Sequence, residues 1–254
     1  MLFMKELLNR IAASSTGGDN PLTLEESLRS YSSMGYKKFE LYMQGRGASP
    51  DLAKGADYVL EVASRYGMTY SSLHLVAVEA DFGETLQSAV ADTLFAEKLG
   101  IPVVVFNATE KSHYAAAMKK FLEAIGDSPV TPVVQIHEGR ALDTLEDVIE
   151  VLEQINDERV KVLHEVGTYH NRGQSWKKIC DVFGSRIGLV HVKDMIGGQS
   201  MPFGTGEIDL PALFKEMEEK LGYKGDYVIE IDPPNRSNTN QYIAQAFEYI
   251  KEHC

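Results

Sequence analysis

The segment Pro132–Glu165, PVVQIHEGRALDTLEDVIEVLEQINDERVKVLHE, decides the fold class. It opens with a short apolar run at 132–137 and closes with another at 160–165, both of strand length. Between them Leu145, Val148, Ile149, Leu152 and Ile155 recur at steps of three and four residues, the spacing of one helix face. Asp143 or Thr144 is placed to cap that helix. A strand, a helix and a second strand in this order imply a crossover between parallel strands.

Outward from this unit the pattern repeats. Further strands are expected at Arg10–Ser14, Lys37–Tyr42, Thr69–Val76, Pro102–Asn107, Ile187–Lys193 and Tyr227–Ile231, making eight with the two above. Helical stripes recur at Leu210, Leu213, Phe214, Met217 and Leu221, and at Tyr242, Ile243, Ala246, Phe247 and Ile250. Asp209 and Pro211 mark the start of the first of these, and Gly222 follows its end. A chain of 254 residues suits one α/β domain over 1–254, a (β/α)8 TIM barrel of parallel strands within an outer ring of helices. The rival, a doubly wound open sheet, normally carries a glycine-rich phosphate turn; Ser15-Thr16-Gly17-Gly18-Asp19 lacks the GxGxxG and GxxxxGK[ST] spacings.

A net charge of -12 argues against a polyanionic partner such as nucleic acid, which needs clustered Lys and Arg. The hydrophobic fraction of 44% and charged fraction of 24% are those of an ordinary folded chain, and no run is long enough for a membrane span. Cys180 and Cys254 form no CxxC and no disulfide framework, which fits a reducing cytoplasm. In the opening MLFMKELLNRIAAS, Lys5, Glu6, Asn9 and Arg10 interrupt any signal-peptide core.

The chemistry lies at the strand ends. Gln135, Glu165, His191 and Glu230 close four successive runs, and a parallel barrel gathers such ends on one face. Alternation puts His137 on the face of Gln135, Lys193 on that of His191, and His164 opposite Glu165. A carboxylate set among Val and Ile, as in YVIEID, needs a cation, hydrogen bonds or a solvated cleft. A neutral imidazole beside two carboxylates suits a divalent metal, although a lone strand histidine is usually packing. His74 in SSLHLV and Glu40 in KKFELY also end strands and are candidate substrate contacts, as are the loop residues His170 and Arg172. Lys193 is a candidate donor to a substrate oxygen, with a strand-end salt bridge as its plainer role. Trp176 and Phe203 are read mainly as packing, and the 202–206 loop, PFGTG, as a glycine-punctuated segment near the mouth.

QIHEGR before the TLEDV helix, Glu165 with Gly167 after it, HVKD, PFGTGEIDLPALF and GYKGDYVIEID together resemble the sugar phosphate isomerase/epimerase group of the xylose isomerase-like TIM barrels. The resemblance covers about the C-terminal half and reaches more loosely to FELY and His74. It implies one divalent ion (Mn, Mg, Co or Zn) held by Glu, Asp, His and Glu from successive strands. Two of those glutamates exchange a proton beside a substrate carbonyl. The positions correspond here to Gln135, Glu165, His191 and Glu230. Gln135 departs from the pattern, because an amide can ligate a metal through oxygen but cannot act as a general base. Thr168 departs too, standing where the group often has histidine. His137 is the candidate to replace the missing base. The resemblance implies an isomerase, epimerase or dehydratase acting on a small sugar or polyol-type carbonyl compound through an enediolate, and frequent homo-oligomers. The alternatives are a sugar-binding barrel without catalysis and, third, a metal-dependent AP endonuclease-like nuclease.

Overall fold

All eight expected barrel strands are present in a computed structural model that describes residues 6–14, 23–45 and 47–254. The 15–19 glycine segment lies outside these. The barrel strands are β1 (Ile11–Ala13), β2 (Lys38–Tyr42), β3 (Thr69–His74), β4 (Val103–Phe106), β5 (Thr131–Gln135), β6 (Lys161–Glu165), β7 (Ile187–Val192) and β10 (Tyr227–Ile229). They close in the order β1-β10-β7-β6-β5-β4-β3-β2, every pair parallel, so the doubly wound alternative is excluded. A short antiparallel hairpin, β8 (Asp194–Ile196) and β9 (Gln199–Met201), rises from the end of β7.

Strand alternation divides the core in two. Ala12, Val103, Val105, Val133, Leu163, Leu189 and Val228 fill the barrel interior. Their neighbours Val104, Val134, Val162, Val190, Tyr227 and Ile229 face the helices and join the larger core. The next inward position, two residues beyond each interior plug residue, opens on the C-terminal mouth. By that rule Val105 leads to Asn107, Val133 to Gln135, Leu163 to Glu165, Leu189 to His191 and Val228 to Glu230.

The helices follow their stripes. α1 (Leu24–Ser33), α2 (Ala56–Arg65), α3 (Glu84–Lys98) and α4 (Lys111–Ile125) cover the first half of the barrel. In α5 (Leu145–Ile155) the cap is Thr144, whose hydroxyl accepts from Asp147 N while the Asp147 carboxylate accepts from Thr144 N. Leu145, Val148, Val151, Leu152 and Ile155 are buried and Ile149 is half-buried; each fully buried side chain contributes roughly 1.5–3 kcal/mol. α6 (Val166–Asn171) and α7 (Trp176–Phe183) follow β6. α8 (Leu210–Lys215), capped by Asp209, runs into a π turn at Glu216–Lys220 rather than a continuous α-helix to Leu221. That turn sets Glu218 2.5 Å from Arg10 and within 2.7 Å of the Tyr227 hydroxyl. α9 (Thr239–His253) closes the ring. Among the described residues no helix is long and apolar enough to cross a membrane.

Two strand ends fall short of the expected runs. β5 stops at Gln135 because His137 N turns to donate to Leu142 O, so His137 leaves the alternation and is exposed. β7 stops at Val192, before Lys193.

His164 takes the outward-facing side of β6, as alternation requires. It is fully buried, edge-on to Tyr169, and neither ring nitrogen has a hydrogen-bond partner. Burial lowers its pKa to about 3, so the folded protein keeps it neutral where the unfolded chain protonates it. The unfolded state then binds more protons as pH falls below about 6.5, and stability falls with it. From this group alone the loss between pH 7 and pH 5 is about 2 kcal/mol. His164→Leu is expected to be less acid-sensitive than the wild type by that amount in urea denaturation at the two pH values; an unchanged difference between pH 7 and pH 5 would show that His164 titrates normally.

Candidate active site

Inward strand ends assemble the cluster that the +2 rule foretells. Glu165 and His191 are register partners across β6 and β7. His191 Nδ1 lies 2.9 Å from Glu165 Oε1 and 3.0 Å from Glu230 Oε2. Its Nε2 lies 3.0 Å from Glu40 Oε1. Lys193 Nζ reaches Glu230 Oε2 at 2.9 Å. Gly167 leaves room for that lysine stem: a Cβ there would meet Lys193 Cδ at 3.0 Å.

Glu40 sits beneath the mouth, fully buried. Its carboxylate accepts from Ser72 Oγ at 2.7 Å and from the Tyr42 hydroxyl, which is 2.9 Å from Ser14 Oγ. His74 Nε2 lies 3.2 Å from the same Glu40 oxygen as His191, and the His74 ring stacks on Tyr42. Glu40 therefore orients two imidazoles from below, as an outer carboxylate does behind a metal-bound histidine.

These contacts set the charges. Burial disfavours charge on His191, but the carboxylates of Glu40 and Glu165 outweigh it and raise its pKa well above the usual imidazole value. Burial opposes ionisation of Glu230 as well, yet Lys193 and His191 hold its pKa well below the ordinary carboxylate range. Lys193 is likewise desolvated and nevertheless raised, by Glu230 and then Glu165. Glu40 and Glu165 are lowered against burial, each chiefly by His191.

Gln135 joins through its amide. Nε2 donates to Glu165 Oε1 at 2.6 Å and Oε1 accepts from Asn107 Nδ2 at 3.3 Å. The donor set suits a divalent cation. Glu165, His191 and Glu230 offer three ligand atoms within 4.8 Å of one another, and the buried Glu165 Oε2 has no hydrogen-bond partner. Rotation of the Gln135 amide would present its oxygen to the same side. Glu40, His74 and His191 form a second such group, sharing the imidazole.

Beside the cluster lies a cavity of about 560 Å³, meeting it at His74 and Gln135. Tyr42, Asn107, His137 and Arg140 are among its lining residues. The 202–206 loop is fastened from below rather than free: buried Asp194 of HVKD accepts from the backbone of Met195, Gly204, Gly206 and Ile208. A side chain at Gly206 would collide with that carboxylate.

Of the residues singled out from sequence, Gln135, Glu165, His191, Lys193, Glu230, Glu40 and His74 come together. His137 lies on the cavity wall, with Nδ1 3.0 Å from Glu138 O. His170 and Arg172 are occupied on the surface, His170 with Glu207 at 3.1 Å and Arg172 with Asp143 and Glu138. Phe203 packs edge-on against Tyr249, and Trp176 packs against the core. Tyr42, Asn107 and Arg140 escaped the strand-end reading. For Asn107 the signal was present, since it stands two residues beyond inward Val105.

Comparison with known proteins agrees with this architecture. An inosose dehydratase from Geobacillus thermodenitrificans is 23% identical over 199 residues, covering 70% of this chain. The aligned part is 65% of that relative's length. Among solved structures, the IOLI protein with a bound zinc atom superposes with a TM-score of 0.77 at 15% identity, covering 96% of this chain and 99% of that one. D-allulose 3-epimerase from Methylomonas sp., in complex with D-allulose, gives 0.75 at 14% identity, covering 96% and 97%. With the closed parallel barrel in place and the family model matching residues 28–253, the chain belongs to the xylose isomerase-like TIM barrel family.

Proposed function

We propose that the protein is a metal-dependent enzyme that removes a proton beside the carbonyl of a small polyhydroxylated compound, with isomerisation or dehydration as the outcome. The observation that carries this reading is the joining of Glu165, His191 and Glu230 around one point, with Lys193 on the Glu230 carboxylate and a neutral amide at Gln135. The name of the dehydratase relative and the zinc and D-allulose bound by the structural neighbours support the same chemistry.

Glu165, His191 through Nδ1, and Glu230 would hold the cation, with Gln135 Oε1 as a further neutral donor. A bound divalent ion supplies a Lewis acid that favours charge on a carbonyl oxygen. The chain's own groups divide the proton work. Glu230 is ionised and so able to accept a carbon-bound proton; Lys193 is protonated and able to donate to an oxygen. Gln135 can do neither, so two opposed carboxylate bases, as a two-base epimerisation needs, are not available from the usual pair. One base and one acid suffice for transfer within an enediol or for loss of a hydroxyl as water.

Glu230→Gln is expected to lower the exchange of substrate carbon-bound hydrogen with deuterated water by about 10²–10⁴-fold, followed by NMR with an inosose or D-allulose. Exchange at the wild-type rate would remove Glu230 from the role of base. Ligand binding that survives chelation, without any exchange, would instead identify a sugar-binding barrel.

The raised pKa of His191 means that the metal-free protein carries protons on both ring nitrogens at neutral pH. A cation on Nδ1 displaces one of them, so its affinity rises with pH, by up to about tenfold per unit. Calorimetry in buffers of different ionisation enthalpy should register the released proton; pH-independent affinity would place the cation elsewhere. Gln135→Glu sets a carboxylate against Glu165, where the amide now donates at 2.6 Å. Lower thermal stability without metal and tighter metal binding are expected together. If neither changes, Gln135 lies outside the site.

A further inference from the structure

Building on the proposed function, we propose that Arg140 makes the cavity selective for substrates that carry an anionic substituent, a carboxylate or a phosphate, at the end away from the reacting carbonyl. Arg140 follows β5 in the turn where Arg140 N donates to His137 O, and its side chain lines the cavity. Among the described residues its guanidinium has no acidic partner. The acids of the same loop are taken: Glu138 and Asp143 face Arg172, and Asp147 faces Lys111.

The rest of the described lining is neutral or imidazole. Gln44, Asn107, Thr109 and Gln135 offer hydrogen bonds without charge, and no carboxylate lines this cavity among the described residues. In a chain of net charge -12 that is a local reversal of sign. An unpaired guanidinium presents a planar fork matched to the oxygens of a carboxylate or phosphate. The geometry also separates the two ends of a ligand. The cavity meets the carboxylate and imidazole cluster at His74 and Gln135, whereas Arg140 belongs to the loop beyond the end of β5. A volume of about 560 Å³ falls in the usual range for a small-molecule site.

The test is equilibrium binding to the full chain after chelation, so that no cation contributes and no turnover is required. The probes are D-fructose, D-fructose 6-phosphate, D-glucuronate and inorganic phosphate. Wild-type protein is expected to bind at least one anionic sugar about tenfold more tightly than D-fructose, a preference that weakens as salt is raised. Arg140→Gln should abolish the preference at an unchanged thermal midpoint, and Arg140→Lys should retain part of it. A preference for the phosphate sugar, with competition by inorganic phosphate, identifies a phosphoryl group; a preference confined to D-glucuronate identifies a carboxylate. Equal affinity for neutral and anionic sugars, no binding of any probe, or a preference that survives Arg140→Gln overturns the proposal. Failure of the proton-transfer reading would show instead in the Glu230→Gln exchange experiment, which these binding measurements do not use.

Discussion

The arrangement turns on the burial of one imidazole among carboxylates from three other strands. His191 is fully buried, with Glu165 and Glu230 on its Nδ1 side and Glu40 on its Nε2 side. Desolvating such charges is costly, and removing one member leaves the others uncompensated, at about 3–5 kcal/mol for a broken buried pair. With Lys193 the cluster has three carboxylates against two cationic groups, one negative charge in excess. Replacing the amide of Gln135 by a fourth carboxylate would double that excess. Gln135 thus allows the cluster to stay close to neutral before a cation arrives, and it removes the second base that an epimerase of the usual pattern would use.

Everything else about the site follows from the barrel. The interior plug of Val and Leu fixes the depth at which the next inward residue emerges, so Gln135, Glu165, His191 and Glu230 reach the mouth at comparable height. The outward residues bind the strands to helices that hold them in register. Asp194 then ties the 202–206 loop to the strand that carries His191, accepting from four backbone N–H groups. HVKD is therefore a composite motif: its histidine and lysine face the cluster, and its aspartate organises the loop above.

Much of this was legible in the residues. The period of two along VKVLHE and IGLVHVKD placed Glu165 and His191 inward and His164 under the helices, because alternation is a property of the backbone. It failed for His137, where the chain leaves the strand for a turn that no periodicity records. Glu40 was visible as a strand-end acid, but its depth was not. Its place beneath two imidazoles depends on β2 lying beside β3 in the closed barrel and on Ser14, Ser72 and Tyr42, which come from three strands. His170 and Arg172 looked available in sequence because their partners, Glu207 and Asp143, lie 37 and 29 positions away. Arg140 became informative only once the neighbouring acids were seen to be engaged elsewhere.

The most direct measurement is pulsed electron paramagnetic resonance of the manganese-loaded protein, with and without ¹⁵N-labelled histidine. The central claim, one cation held by Glu165, Glu230 and Nδ1 of His191, predicts a single directly coordinated imidazole nitrogen whose coupling disappears in His191→Gln and persists in His74→Gln. No imidazole coupling, or a coupling that survives His191→Gln, would contradict it.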